Sequence, residues 1–154
     1  MRPRAGGKLQ PVEMLTSNMQ SRPRVLLVED RSDLAVMYQL AFDVAGFETR
    51  IAVTGTEGVT IAETGWPQVM VLDLQLPDLD GFAVYDAMRR RGISTPVIFL
   101  SITDDGATIR RAMSLGAVDY MVKPRVKPAD VVWRIKRHLE SGAARVGEES
   151  KGES

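Results

Sequence analysis

Asp73 follows the apolar run Val69-Met70-Val71-Leu72, and an acidic pair, Glu29-Asp30, follows another, Val25-Leu26-Leu27-Val28. An apolar run that ends in a carboxylate puts the acid at the carboxyl edge of a sheet, where open α/β sheets bind ligands. Three acids on two strand ends repel one another and raise one another's pKa unless a cation sits among them. Oxygen donors with open positions suit Mg2+, which keeps waters and seeks phosphate oxygens, with Mn2+ as an alternative. Lys123 ends a further strand-like run, Val118–Val122, and brings positive charge to the same edge. A carboxylate held between a divalent cation and an ammonium can act as a nucleophile and form an aspartyl phosphate. Both cations would stabilise charge on the transferring phosphoryl group.

Placing these groups together falls to a regular alternation of elements. Arg24–Val28 reads as a strand, and Ser32 or Asp33 is expected to cap the next helix. Leu34, Met37, Leu40 and Ala41 recur there at helical spacing, and Gly46 ends it. Phe47–Val53 alternates as a second strand; Thr54-Gly55-Thr56-Glu57 then opens a helix that Gly65 and Pro67 stop. Gln68–Leu72 is a buried strand, and Gly81–Arg91 a helix with Phe82, Val84, Tyr85 and Met88 as its apolar face. Pro96–Leu100 leads to Ser101, Asp104–Leu115 is helical up to Gly116, Val118–Val122 is a fifth strand, and Pro128–Glu140 a fifth helix. Such a βα repeat predicts an α/β fold, with a parallel sheet, right-handed crossovers and helices on both faces.

Composition narrows the class. At 154 residues, 44% hydrophobic and 26% charged, the chain suits one globular domain. Lys plus Arg equals Asp plus Glu at 20 each, so nothing in the charge calls for nucleic acid or an anionic membrane. Without cysteine there is no disulfide, no thiolate metal site and no thiol nucleophile, which fits a cytoplasmic protein. No apolar stretch reaches the roughly 20 residues of a membrane span, and the first 23 residues lack the apolar core of a secretory signal. Residues 1–23 are expected to form a mobile arm, in which Met14 and Met19 offer internal starts, and residues 141–154 a disordered polar tail.

The chain resembles the receiver (CheY-like) domain of bacterial two-component response regulators from about Arg24 to Glu140. The matching residues are Glu29-Asp30, Asp73, the turn Leu76-Pro77-Asp78-Leu79-Asp80-Gly81, Ser101, Tyr120 and Lys123-Pro124, in that order and at strand ends. The resemblance implies a flavodoxin-like, doubly wound five-stranded sheet of order 2-1-3-4-5 with five helices. It makes Asp73 the phosphoacceptor, charged by a sensor histidine kinase or a histidine phosphotransferase. Asp30, the Asp73 carboxylate and the Gln75 backbone carbonyl would bind Mg2+, with Glu29 acting largely through water. The Ser101 hydroxyl, the Lys123 ammonium and backbone N–H groups near Gln75 and Ile102 would hold the phosphoryl oxygens. Ser101 and Tyr120 would form a switch in which the hydroxyl moves inward and the ring follows. Such a domain catalyses only its own phosphorylation and dephosphorylation.

Blander readings stand beside these: Glu29-Asp30 as an acidic turn, Ser101 as a helix cap, Lys123 as a surface charge, Tyr120 as an ordinary strand tyrosine. The chain also departs from the family pattern. Ile102 stands where a small residue is usual and should narrow access to the acyl phosphate, unless it turns outward onto a neighbouring helix. Gln75 and Thr103 occupy positions that tune hydrolysis. On the sequence given, 14 residues follow Glu140, too few for a DNA-reading module, so output is expected through protein contact around Tyr120 and Trp133. Val132, Ile135 and Leu139 are the expected buried stripe of the last helix. Trp133 is either a partner anchor or a cover for the sheet edge, and Arg110, Arg111, Arg134 and Arg137 are expected to be solvated. A homodimer through this face stays open.

Three rivals remain: the receiver portion of a DNA-binding regulator, a phosphorelay intermediate, and a haloacid-dehalogenase-type phosphatase. The last needs an acid two residues after the nucleophile, where this chain has Gln75. A flavodoxin is disfavoured because the acids after Val28 would repel a phosphate.

Overall fold

The computed structural model describes residues 22–152. Its strands are β1 (Arg24–Val28), β2 (Glu48–Ala52), β3 (Val69–Asp73), β4 (Val97–Ser101) and β5 (Asp119–Val122). The helices are α1 (Ser32–Val44), α2 (Gly55–Glu63), α3 (Gly81–Arg90), α4 (Gly106–Leu115) and α5 (Pro128–Gly152), with a 3-10 turn at Lys123–Arg125 before α5. The five strands form one sheet of order β2-β1-β3-β4-β5, every pair parallel. The expected flavodoxin-like α/β architecture is therefore present, and β1 and β3 lie side by side.

Period-2 alternation explains why the central strands read as unbroken apolar runs. Leu26, Val28, Met70, Leu72, Val97 and Phe99 point to one face, where Val59, Ala62, Val84, Tyr85, Met88 and Ala112 cover them. Val25, Leu27, Val69, Val71, Ile98 and Leu100 point to the other, under Ala35, Tyr38, Phe42, Val131 and Ile135. Both faces of β1, β3 and β4 are buried, so both phases of these central strands must be apolar.

Several boundaries and faces differ from expectation. Neither Ser32 nor Asp33 caps α1; Arg31 is the N-cap residue and provides no side-chain cap. α4 starts at Gly106, because Asp105 rather than Asp104 caps it, accepting from the N–H groups of Ala107 and Thr108. The buried stripe of α5 centres on Val131 and Ile135, both fully inaccessible, while Val132 and Leu139 are half-buried at its edge. Adjacent valines at 131 and 132 sit only about 100° apart on a helix, so pattern alone picks the wrong phase. α5 also runs on through Gly152 where a disordered tail was expected; Ala143, Ala144, Arg145, Glu148 and Glu149 are good helix formers there. Residues 1–21 of the expected arm lie outside the described residues. Arg22, assigned to that arm, instead bonds through its guanidinium to the carbonyls of Gly46 and Phe47, at 3.1 and 2.8 Å. No described helix is long and apolar enough to cross a membrane.

Candidate functional site

Sheet register brings the acids together. Val28 pairs with Leu72, so the next residues on the two strands, Glu29 and Asp73, emerge level at the carboxyl edge. Asp73 pairs with Leu100 and Ser101 with Val122, which sets Ser101 and Lys123 one step further along the same edge. Asp73 is 5% exposed, Glu29 1% and Ser101 fully buried, whereas Asp30 is open to solvent.

Both carboxylate oxygens of Glu29 and both of Asp73 are hydrogen-bonded. The Lys123 ammonium donates to Glu29 Oε1 at 2.8 Å and to Asp73 Oδ2 at 2.9 Å. The other Asp73 oxygen accepts the Gln75 N–H at 2.9 Å, and Glu29 Oε2 accepts the Arg31 N–H at 3.2 Å. Burial pushes the Glu29 carboxyl above its ordinary value, the charge of Asp73 adds to the effect, and Lys123 holds it back. Burial opposes the charge on Lys123 too, but its bonds to Glu29 and Asp73 prevail and raise its pKa above 10.5. Buried charges are tolerated when paired and hydrogen-bonded in this way.

One carboxylate oxygen from each of Glu29, Asp30 and Asp73 falls within 4.8 Å of the other two. This all-oxygen, partly open donor set fits a hard divalent cation that keeps several waters, as Mg2+ does. Asp30, open to solvent, is the most available of the three, since both Glu29 and Asp73 already give one oxygen to Lys123 and the other to a backbone N–H.

Beside the acids, Ser101 Oγ accepts the Thr103 N–H at 3.1 Å, and the Tyr120 hydroxyl donates to the Thr103 carbonyl at 2.7 Å. The Tyr120 ring packs on Phe99 with 6.3 Å between centroids. Ser101, Thr103 and Tyr120 are thus one connected unit, a role for Thr103 that its place in the sequence does not reveal. Ile102 is 56% exposed, so its side chain is not packed under a helix. The Gln75 side chain is in solvent while its backbone faces Asp73.

The loop from Leu74 to Asp80 is closed by helix starts. Asp80 caps α3 by accepting the Ala83 N–H at 2.8 Å, and the Gly81 N–H donates to the Leu74 carbonyl at 2.8 Å. A Cβ on Gly81 would lie 2.7 Å from the Asp73 carbonyl oxygen, so α3 can begin directly on the backbone of Asp73 only because this residue is glycine.

Tyr120 adjoins the pocket; Trp133 does not, and lies 56% exposed on α5 with the Arg134 and Arg137 guanidinium groups 5.8 and 5.3 Å from its ring. That exposure removes the reading of Trp133 as a cover for the sheet edge. Of the four arginines expected to be solvated, Arg110, Arg111 and Arg137 are exposed, with Arg111 lying 4.2 Å over the Phe82 ring; Arg134 is half-buried and pairs with Asp119 at 2.6 Å.

The model of the response regulator receiver domain matches residues 25–136. Among curated relatives, the transcriptional regulatory protein PrrA of Mycobacterium tuberculosis is 38% identical over 117 residues, 76% of this chain and 50% of its own. The alkaline phosphatase synthesis transcriptional regulatory protein PhoP of Bacillus subtilis is 33% identical over 116 residues, 75% of this chain and 48% of its own. The chain thus spans about half the length of the curated relatives it matches. A signal receiver domain from Vibrio parahaemolyticus superposes with a TM-score of 0.76 at 30% identity, covering 80% of this chain and 95% of that one. The receiver domain of the Francisella response regulator 1452 does so with a TM-score of 0.75 at 28% identity, over 79% and 99%. Acid-bearing strand ends, a lysine held between them and this breadth of similarity lead to one assignment: the chain belongs to the response regulator receiver domain family of two-component systems.

Proposed function

We propose that this receiver domain accepts a phosphoryl group on Asp73 in a Mg2+-dependent reaction and signals by a conformational switch. The observation that carries the reading is the Lys123 bridge between Asp73 and Glu29, with Asp30 alongside. The donor is the phosphohistidine of a sensor kinase or a histidine phosphotransferase: an Asp73 oxygen attacks phosphorus, the P–N bond breaks and the imidazole leaves with its electron pair. Asp30, Asp73 and the Gln75 carbonyl, with Glu29 acting through water, would hold Mg2+, which would supply charge neutralisation on the phosphoryl oxygens. Lys123, already on Asp73, is in reach of the same oxygens, and the N–H groups of Gln75 and Ile102 complete their hydrogen bonding. Mn2+ would serve in place of Mg2+.

Ser101 Oγ accepts the Thr103 N–H, which leaves its own O–H to donate to a phosphoryl oxygen, and an inward move to do so would pull on Thr103. Because Tyr120 is tied to the carbonyl of the same residue, a shift there biases the tyrosine between two packed states. Gln75, Ile102 and Thr103 set the rate of hydrolysis. The surface around Tyr120 and Trp133 meets a downstream protein, and the domain, residues 24–140, turns over no external substrate. The reading places the protein in the cytoplasm with its donor.

A second reading, the receiver part of a DNA-binding regulator, draws support from relatives of about twice this length that are named transcriptional regulators. Incubation with acetyl phosphate tests the first claim. Intact mass should rise by one phosphoryl group with Mg2+ present and stay unchanged with a chelator; gain in both conditions would refute the Mg2+ requirement.

A further inference from the structure

The turn that follows Asp73 carries an acid that the pocket does not use. Asp78 reaches across to the start of α2, accepting the Gly55 N–H at 2.8 Å, the Thr56 N–H at 3.0 Å and the Thr56 hydroxyl at 2.6 Å. The partners lie 22 and 23 residues away in the chain. A helix start leaves its first N–H groups without internal partners, but α2 already has local caps. Thr54 Oγ1 accepts the Glu57 N–H at 3.1 Å, and the Glu57 carboxylate turns back to the Val53 N–H at 3.1 Å. What the distant carboxylate adds is a tie between α2 and the loop.

The fit at that tie is close. A Cβ on Gly55 would meet Val84 Cγ2 at 2.7 Å and Leu79 Cβ at 3.1 Å, so α2, the loop and α3 meet where no side chain can intervene. The bonds from the Thr56 hydroxyl and the two N–H groups keep the Asp78 carboxyl far below the usual carboxylate range, hence ionised. On the Asp73 side the same loop is fastened by the Gln75 N–H on Asp73 Oδ1 and the Gly81 N–H on the Leu74 carbonyl. The Gln75 backbone is therefore held from both ends, and its distal anchor is Asp78.

We infer that Asp78 is a positioning residue for the phosphoryl-transfer pocket, fixing the Gln75 carbonyl and N–H against Asp73 by tying the loop to α2. The inference rests on the proposed Mg2+ chemistry, in which that carbonyl is a ligand. Outer-shell partners that orient a ligand typically change metal affinity 10–100-fold when removed.

The test is a Mg2+ titration followed at the Gln75 amide by NMR, in the full chain and in Asp78→Ala, Asp78→Asn and Thr56→Val. Asp78→Ala should raise the Mg2+ midpoint about tenfold or more and speed hydrogen exchange at Gly55 and Thr56. Asp78→Asn keeps one acceptor oxygen and should fall between. Thr56→Val should shift the midpoint the same way, and less than additively with Asp78→Ala, as residues sharing one contact do. A folded Asp78→Ala with the wild-type midpoint would overturn the inference. If that variant does not fold, wild-type midpoints in both Asp78→Asn and Thr56→Val overturn it equally. A wild type that does not titrate with Mg2+ refutes the proposed chemistry instead. The clamp is then judged by Gln75 amide exchange, which loss of Asp78 must accelerate.

Discussion

Lys123 is the residue on which two buried acids depend. Its ammonium is the charged partner of both Glu29 and Asp73, and deleting one member of such a set leaves the others uncompensated, at a cost of about 3–5 kcal/mol. Lys123→Met should lose phosphorylation and unfold at lower urea. The pH dependence has a definite sign: a lysine raised above 10.5 in the folded state binds its proton more tightly there than when unfolded. The stability it confers is fully present below pH 10.5 and lost as pH rises through the folded value. Urea melts of wild type and Lys123→Met should differ by a constant amount from neutral pH, where the carboxylate partners are ionised, up to that pH, and converge above it. Ile102, next to Ser101 and exposed, should protect the acyl phosphate. Ile102→Ala should shorten its lifetime severalfold in a hydrolysis time course, and an unchanged lifetime would remove the protective role. The acids, Ser101 and Lys123 could be found in the sequence because each ends an apolar run. The Lys123–Glu29 bond could not, since it joins residues 94 apart and depends on the register of four strands.

Among the elements, the start of α3 is the least tolerant of change near the pocket. A methyl group on Gly81 would press on the Asp73 carbonyl oxygen at 2.7 Å and the Leu74 Cα at 2.8 Å, both backbone atoms that cannot turn aside. Gly81→Ala should cost about 1–3 kcal/mol in a thermal or urea melt, as overpacking does, and slow acetyl-phosphate labelling by moving Asp73; wild-type values for both would contradict this contact. Strands and helices were legible because glycine and proline punctuate them and apolar runs fill them. What pattern could not supply was phase and capping. Val131 and Val132 are equally apolar, and only the packing of α5 on the sheet selects Val131. In the turn after Asp73, two acids two residues apart cap different helices: Asp80 caps the helix that follows it, as spacing suggests, and Asp78 one that precedes it.

At the scale of the molecule, a parallel sheet with both faces buried leaves its carboxyl edge as the place where charge gathers, and that edge carries Glu29, Asp30, Asp73, Ser101 and Lys123. Strand order made the two acid-bearing strands neighbours, and this was read from family resemblance rather than from composition. The output surface was less legible: Trp133 could have faced the sheet or the solvent, and only the pitch of α5 decides for solvent. The central claim is that Asp73 is the atom donor to phosphorus. The most direct test treats wild type and Asp73→Asn with Mg2+ and acetyl phosphate and compares intact masses. Wild type should gain one phosphoryl group and Asp73→Asn none, while circular dichroism shows both folded. Equal gain by Asp73→Asn would contradict the account.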